Sequence, residues 1–251
     1  MESNRVRISA AVQAALSEGR GVVALESTIL CHGFPPLERR PLARALEDAV
    51  RAAGAEPATI AIVDGVPCVG LDDDQLERLL TAEHVAKCSA RDVAVVAASG
   101  AMGATTVAGT CLLAAAAGVR VFATGGIGGV HRGGEHTLDV SADLGALGRH
   151  PVLVVSAGAK SLLDLPRTLE VLETANVPVI GYQTSDFPSF YSRTSGLSVP
   201  HRADTPAAVA AAFSLQAALG LPGGMLLCNP PPAAVALDQA EVDGWIVEAL
   251  A

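Results

Sequence analysis

The sequence has 251 residues and a formal net charge of −9, with a pI of about 5.1. The phosphate backbone of a nucleic acid binds basic surfaces, so an acidic chain of this kind predicts no nucleic acid polymer as a partner. Half of the residues are apolar but only 3% are aromatic. This composition indicates a core of Ala, Val and Leu in one α/β domain.

The five cysteines are scattered, odd in number and without a CxxC pair. This pattern supports neither a zinc site nor a disulfide framework, so reduced thiols are expected. The N-terminus lacks the continuous apolar core of a signal peptide, and the longest apolar run is too short to span a bilayer. We therefore predict a cytoplasmic protein without a membrane partner.

The predicted elements alternate between helix and strand along the chain. In order they are a helix at 8–16, a strand at 22–25, a helix at 37–53, a strand at 58–63 with a hairpin partner at 66–69, a helix opened by three aspartates at 72–74, an apolar segment at 93–98, a helix at 108–117, strands at 119–123 and 152–156, a helix at 161–175 broken near Pro166, a strand at 177–182, a helix at 205–219, a strand at 224–228 and a helical tail at 240–251. This alternation predicts an α/β/α sandwich around a mainly parallel sheet, as a single domain over residues 1–251. The irregular segment 187–197 holds three of the eight aromatic residues, Phe187, Phe190 and Tyr191, which suggests a lid or a subunit contact.

Polar residues follow several predicted strands. In a parallel sheet, catalytic and binding residues commonly lie in the loops that follow the strands. Glu26 ends the strand at 22–25 and is either a functional carboxylate or a capping or surface residue. Lys87 lies in a polar stretch, where a lysine is more often solvated than catalytic. Thr106 precedes a helix, so it is either an ordinary cap or part of an anion cradle made by free amides.

The densest group of polar residues lies in a loop with six glycines between the strands at 119–123 and 152–156. The loop carries His131, Arg132, Glu135, His136 and Asp139 and runs into a helix start at Ser141 to Asp143. Its glycines either only make turns or belong to a functional site. Polar residues follow both of the neighbouring strands, which favours a functional site. The loop matches neither a dinucleotide fingerprint nor a phosphate loop, nor a strong zinc template. A single carboxylate at Asp139 is suited to a hard, water-rich cation, Mg²⁺ or Mn²⁺.

Lys160 follows the strand at 152–156 after three small residues. Partial burial there would disfavour the charged amine and leave a nucleophile able to form a Schiff base with a sugar aldehyde. The alternative is an ordinary lysine whose amine reaches solvent from the edge of the sheet.

Eight segments, taken together and in order, are similar to the pseudouridine-5′-phosphate glycosidases. They are VALESTILCHGFP, EPATIAIVDGVPCVGL, KCSARD, GATTVAGT, FATGGIGGVHRGGEHTLDVSADL, VVSAGAKSLLDL, LETANVPVIGYQT and GGMLLCNPPP, and they lie between residues 8 and 235. The resemblance implies an α/β/α architecture, a homotrimer, and reversible cleavage of the carbon–carbon bond that joins uracil to ribose 5-phosphate.

The resemblance also implies roles for particular residues. In the family the ribose ring opens and its C1′ becomes an iminium on a lysine, an electron sink that lets the carbon leaving group depart. Lys160 matches this lysine, Glu26 the proton donor, and Asp139 the ligand of a metal that is usually Mn²⁺. The positions that match substrate contacts are Lys87, Val107, Ser141, Ala142 and Asp143. We expect the amides near Thr106 and the helix start at Ser141 to cradle the phosphate.

The resemblance has one departure. Family members continue with a C-terminal helical segment that contributes an asparagine to the base pocket, and we expect this chain to lack it. Three functions therefore stay open: the family activity, a C-glycosynthase that attaches ribose 5-phosphate to another carbon acceptor such as an aromatic natural product, and a non-catalytic sugar-phosphate-binding homologue. The joint presence of Glu26, Lys87, Asp139 and Lys160 speaks against the last.

Overall fold

The computed structural model describes residues 6–250, and the chain divides into two compact units, Met1–Ala123 and Thr124–Ala251. We call them unit 1 and unit 2. Each is a mainly parallel sheet with flanking helices, so the predicted α/β class is confirmed, while a single domain stays a prediction. None of the helices described between residues 6 and 250 is long and apolar enough to cross a membrane.

Unit 1 holds seven strands and six helices among its described residues. Its strands are β1 (Arg7–Ile8), β2 (Val22–Glu26), β3 (Glu56–Val63), β4 (Val66–Val69), β5 (Ala86–Cys88), β6 (Gly103–Thr105) and β7 (Val121–Ala123). Its helices are α1 (Ala10–Ser17), α2 (Thr28–His32), α3 (Pro36–Ala52), α4 (Asp73–Thr81), α5 (Val93–Ala98) and α6 (Val107–Ala116).

β3 is the centre of unit 1, because strands pair with it along both edges. On one edge β4 pairs antiparallel through the turn at Asp64 and Gly65, both with positive φ, as the predicted hairpin requires. The other edge carries β2, parallel to β3, and then β6, which is antiparallel. β1, β7 and β5 extend the sheet in parallel beyond β4, β2 and β6 respectively. Residues 57–63 of β3 are all buried, because α1, α3, α4, α5 and α6 pack against this strand.

Unit 2 holds a four-stranded parallel sheet in the order β8-β11-β9-β10. Its strands are β8 (Leu153–Ser156), β9 (Val179–Tyr182), β10 (His201–Ala203) and β11 (Met225–Cys228). Its helices are α7 (Gly134–Thr137), α8 (Ala142–Leu147), α9 (Leu165–Thr174), α10 (Pro206–Ala218) and α11 (Gln239–Leu250). A cluster of buried side chains that includes Leu153, Ile180, Val209, Phe213 and Leu227 joins α10 to the sheet.

The differences from the sequence prediction concern short elements. The unpredicted ones are β1, β5, β6, β10, α2 and α7, none longer than five residues. Segments of this length show too few periods for apolar spacing to identify them. The apolar segment at 93–98, left unassigned from the sequence, is helix α5. The strand β5 matters most for function, because it contains Lys87.

Candidate active site

In unit 1, the carboxyl ends of β2 and β6 meet at Ile60 of β3. Glu26 is the last residue of β2 and is in register with Ile60, while Thr105 ends β6 one residue beyond the pair Ala61 and Ala104. The Ile60 carbonyl accepts hydrogen bonds from Ser27 Oγ and Thr105 Oγ1, both at 2.7 Å. These hydrogen bonds fix the backbone next to Glu26, whose side chain is half-buried.

Buried hydroxyl groups complete the junction. Ser27 Oγ accepts a hydrogen bond from the Thr105 amide at 2.8 Å, and the hydroxyls of Thr105 and Thr110 are 2.9 Å apart. All three residues are fully buried. Thr105 donates its only hydroxyl proton to Ile60, so Thr110 is the donor in the second pair. Sequence reasoning missed this network, since Ser and Thr are mostly exposed residue types.

Lys87, Thr106 and Val107 lie at the same end of unit 1. Lys87 is exposed and is in register with Ala104 of β6. The Thr106 amide donates to the Cys88 carbonyl at 2.9 Å, and the Thr106 hydroxyl accepts from the Gly109 amide as the cap of α6. Val107 is buried as the first residue of that helix. The cap interpretation of Thr106 is therefore confirmed, and anion binding by neighbouring amides stays a prediction.

In unit 2, the glycine loop runs parallel to the chain that leaves β8 and ends at Lys160. Four backbone hydrogen bonds of 3.0 to 3.1 Å link the two stretches: Thr124 N to Val155 O, Ala157 N to Gly125 O, Ile127 N to Gly158 O, and Lys160 N to Ile127 O. The last bond ties the backbone of Lys160 directly to the loop. The two stretches that the sequence predicts to form one site thus lie side by side.

The glycines of the loop mainly permit close packing. Of the six, only Gly133 has a positive φ, +78°. A Cβ on Gly128 would lie 2.3 Å from Ser141 Oγ, and a Cβ on Gly129 would lie 2.3 Å from Thr168 Oγ1. The alternative that the glycines only make turns is therefore wrong, because most of them are required by side chains that press against the loop.

Ser141 and Asp143 are two of the groups that hold the loop. Ser141 caps α8, its hydroxyl accepting from the Asp143 amide at 3.2 Å, which confirms the predicted helix start. The Asp143 carboxylate is 7% exposed and accepts a hydrogen bond from the Gly128 amide at 2.9 Å. Ala142, between them, is exposed. Asp143 thus has a structural contact with the loop in addition to its predicted contact with substrate.

Thr168 is a further residue that sequence reasoning missed. Its hydroxyl donates to the Asp164 carbonyl at 2.7 Å and accepts from the Val130 amide at 3.0 Å. The side chain is fully buried and touches the loop where Gly129 lacks a side chain. No short-range signal marks this threonine, because its partner is nearly forty positions away in the sequence.

Asp139 lies at the base of a small excursion of the loop. Antiparallel pairing of Val130 with Val140 closes this excursion, and the His131 amide donates to the Asp139 carbonyl at 3.0 Å. Asp139 Oδ2 is 3.7 Å from His131 Nδ1, and both side chains are well exposed. Among residues 6–250, no three His, Cys, Asp or Glu side chains are grouped closely enough to hold an ion between them.

Lys160 itself is exposed in this chain. The expected partial burial of its amine is therefore wrong for the chain on its own, although the two residues directly before it, Gly158 and Ala159, are buried. The sequence also limits which residue can form an imine through a lysine amine, because lysine occurs only at positions 87 and 160. A lysine imine on this chain has only two possible sites.

Comparison with known proteins identifies relatives along almost the whole chain. A family model described as indigoidine synthase A like protein matches residues 11–251. The chain is 55% identical over 250 residues to the pseudouridine-5′-phosphate glycosidase of Chloroflexus aurantiacus, covering 98% of this chain and 82% of that protein. It is 54% identical over 240 residues to the enzyme of the same name from Herpetosiphon aurantiacus, covering 96% of this chain and 79% of that protein.

Two solved structures share the fold. One is the prealnumycin C-glycosynthase in complex with ribulose 5-phosphate, with a TM-score of 0.92 and 44% identity, covering 99% of this chain and 80% of that one. The other is an indigoidine synthase A-like protein from Thermotoga maritima, with a TM-score of 0.89 and 32% identity, covering 99% of this chain and 82% of that one. The chain therefore belongs to the indigoidine synthase A like family of pseudouridine-5′-phosphate glycosidases, as its sequence motifs predict.

Proposed function

We propose that this protein reversibly cleaves the carbon–carbon bond between uracil and ribose 5-phosphate in pseudouridine 5′-phosphate. The observation that carries the proposal is identity above 50%, over nearly the whole chain, to relatives that bear this enzyme's name. Residues 155–160, which we call the Lys160 turn, are joined to the glycine loop by the four backbone hydrogen bonds described above. This pairing supports the proposal, because a nucleophile has to be held beside the groups that bind its substrate.

The proposed reaction begins at the Lys160 amine. Its nitrogen forms a bond to C1′ while the bond from C1′ to the ring oxygen breaks, and that oxygen takes up a proton. The bond from C1′ to the uracil carbon then breaks as the nitrogen lone pair forms a C=N bond. The departing carbon keeps the bonding electrons and receives a proton from Glu26. One water then adds to the imine, releasing ribose 5-phosphate and the free amine.

The substrate contacts are proposed for the positions that match the family's motifs. Lys87 supplies an exposed cation, and the helix starts at Thr106 to Val107 and at Ser141 supply backbone amides, the groups that suit a phosphate dianion. Asp143 carries a negative charge, so we assign it and the neighbouring Ala142 to the sugar rather than the phosphate. A carboxylate accepts hydrogen bonds from sugar hydroxyls but repels a dianion.

The residues around Asp139 are compatible with Mn²⁺ or Mg²⁺. An exposed carboxylate with an imidazole 3.7 Å away offers one or two ligands, which suits a cation that keeps most of its bound water. Asp139 would hold this ion. When bound, the ion would supply positive charge close to the anionic substrate.

From the family resemblance we also propose a cytoplasmic homotrimer. Light scattering of the purified protein measures its mass and so tests the oligomeric state.

Borohydride trapping tests the proposed chemistry. Incubation with ribose 5-phosphate and borohydride should add one reduced sugar phosphate to the intact mass, and peptide mapping should locate it at Lys160. We expect Lys160→Ala to lower turnover of pseudouridine 5′-phosphate on the order of 10³-fold or more, because it removes the proposed nucleophile and the other lysine, Lys87, is assigned to phosphate binding. Repeating the assay after chelation and after return of Mn²⁺ or Mg²⁺ measures the need for a metal.

Lys87→Arg is the matched control, because it keeps the positive charge and removes the other lysine of the sequence. This variant should still be trapped at Lys160, with weaker binding of the sugar phosphate. Trapping of the Lys160→Ala variant at Lys87 at the wild-type rate would rule out the proposed nucleophile. Binding of ribose 5-phosphate without any adduct would instead identify a non-catalytic sugar-phosphate-binding protein.

A second candidate is a C-glycosynthase that joins ribose 5-phosphate to a different carbon acceptor. The observation in its favour is the 44% identity and 0.92 TM-score to the prealnumycin C-glycosynthase. The same Lys160 imine would serve both reactions, so the acceptor decides between them. Incubating the protein with ribose 5-phosphate and either uracil or a panel of phenolic acceptors measures which carbon nucleophile it uses.

A further inference from the structure

The aromatic segment at 187–197 has no role in the reaction as proposed, yet part of it packs against the Lys160 turn. The Phe190 amide donates to the Ala157 carbonyl at 2.9 Å. Ser161 Oγ donates to the Ser189 carbonyl at 2.6 Å. A Cβ on Gly158 would lie 2.1 Å from the Pro188 carbonyl oxygen, so that glycine is needed for the approach. Residues 188–190 therefore hold the chain just before and just after Lys160.

The ring of Phe190 also contacts the glycine loop, which is hydrogen-bonded to the Lys160 turn. A Cβ on Gly126 would lie 2.4 Å from Phe190 Cδ2, and a Cβ on Gly125 would lie 3.4 Å from Cε2. Neither glycine has a positive φ, so the backbone of each would accept alanine. At Gly126 the Phe190 ring therefore leaves no room for a side chain, whereas at Gly125 an added methyl group would make only an ordinary contact with the ring.

The backbone of Phe190 is in an uncommon conformation. Its φ is +55°, in the left-handed region that bulky residues rarely occupy. Its ring stacks edge to face on Tyr191, with centroids 4.5 Å apart and planes at 83°. Backbone conformations of this kind persist where the surrounding contacts enforce them, and they cluster at functional sites.

We propose that Phe190 is a positioning residue for Lys160. This one residue contacts the glycine loop through its ring and the Lys160 turn through its backbone amide. It thereby sets the distance between the amine and the groups of the loop. This role rests on the proposed function of Lys160 as the imine-forming residue.

The test is a double-mutant cycle between positions 126 and 190, read by the rate of borohydride-trapped adduct formation at saturating ribose 5-phosphate. Gly126→Ala should slow adduct formation on the order of a hundredfold, because an added methyl displaces either the ring or the loop. Phe190→Ala should slow it about tenfold, since the loop loses its cover. In the Phe190→Ala background, Gly126→Ala should have no further effect, because the nearest remaining atom, the Gly158 carbonyl oxygen, is at an ordinary contact distance of 3.4 Å.

The readouts separate positioning from a general loss of structure. A positioning role lowers the saturated rate and leaves the dissociation constant for ribose 5-phosphate unchanged, while partial unfolding lowers the active fraction and the Tm together. Gly125→Ala is the milder partner, and its ordinary contact distance predicts a small effect. If Gly126→Ala fails to fold, the saturated rate of Phe190→Ala on its own still tests the inference. Gly244→Ala is the matched control, because nothing lies within 4 Å of that position on α11.

Independent, multiplicative losses at the two positions would overturn the inference, as would a wild-type adduct rate in Phe190→Ala. Either result leaves the proposed function intact provided that the wild-type protein is trapped at Lys160. A wild-type protein that forms no adduct would remove the proposed function and this inference together.

Discussion

At the scale of single residues, the carboxyl end of β2 is held by hydroxyl groups rather than by apolar packing alone. Thr105 is the central member, because it contacts Ile60, Ser27 and Thr110 at once. A buried hydroxyl deprived of its partner costs far more than a solvated one, since no water replaces the lost hydrogen bond. The network therefore links the stability of unit 1 to the placement of Glu26.

Thr105→Val should lower the free energy of unfolding by about 1–3 kcal/mol, because it leaves the Thr110 hydroxyl without its buried acceptor and keeps the side-chain volume. Urea denaturation monitored by circular dichroism measures the change. Thr105→Ser keeps the hydroxyl and should recover the part of the loss that is due to hydrogen bonding. Equal stability of the valine variant and the wild type would show that the network contributes nothing.

At the scale of elements, the start of α4 shows how local sequence specifies a helix boundary. The Asp72 carboxylate accepts from the Gln75 amide at 2.8 Å, and the Gln75 side chain accepts from the Asp72 amide at 3.1 Å. This is a capping box, so the three aspartates are helix-start charges, as the sequence predicts. A hydrogen bond from Arg44 also lowers the pKa of Asp73 below its usual value, in keeping with a surface ion pair.

Asp72→Ala should lower the free energy of unfolding by about 1 kcal/mol, the usual value of an N-cap side chain. The matched control is Asp74→Ala, which removes an equal charge two residues further into the helix. Its partner Arg78 is 3.7 Å away across an exposed pair, so a change of at most about 0.5 kcal/mol is expected. Equal losses in the two variants would assign the effect to charge instead of capping. Both are measured by urea denaturation.

At the scale of the whole molecule, the cysteines are free thiols buried in both units. Burial raises the pKa of Cys31 and of Cys88 to about 11, and it also raises the pKa values of Cys68 and Cys228. The folded chain therefore keeps these protons at a pH where the unfolded chain, with thiol pKa values of about 8.5, has released them. Reduced, apolar thiols agree with the absence of any CxxC pair in the sequence.

The raised thiol pKa values predict a loss of stability in alkaline solution. Because the folded-state values lie above the unfolded ones, the contribution is complete below about pH 8.5 and is lost as the pH rises towards 11. Each thiol contributes a slope of up to about 1.4 kcal/mol per pH unit in that window. Urea denaturation at several pH values under reducing conditions measures this slope.

Few other groups titrate in the same range, since the sequence has two tyrosines and two lysines. Cys88→Ala is the informative variant, because it removes one thiol whose pKa is raised. The dependence of the unfolding free energy on pH should become shallower by the contribution of one thiol, even if the variant is less stable overall. A slope unchanged in this variant would contradict the assignment to thiols.

How much of this protein follows from its sequence depends on the range of the interactions involved. The longer helices α3, α6 and α10, the buried strand β3 and its hairpin to β4 were all predicted, because each is encoded by apolar spacing or turn residues within a short window. The family was also predictable, since its motifs are contiguous. The predicted site residues are named by position in those motifs, and their catalytic roles stay predictions.

The tertiary structure decided what depends on residues far apart in the chain. It places β11 between β8 and β9 and includes Lys87 in the short strand β5. It shows that Lys160 is exposed and that the loop glycines make room for Ser141, Thr168 and Phe190. The physical reason is the same in each instance. Apolar period and turn chemistry act between near neighbours, whereas a missing Cβ has meaning only once the side chain that occupies its space is known.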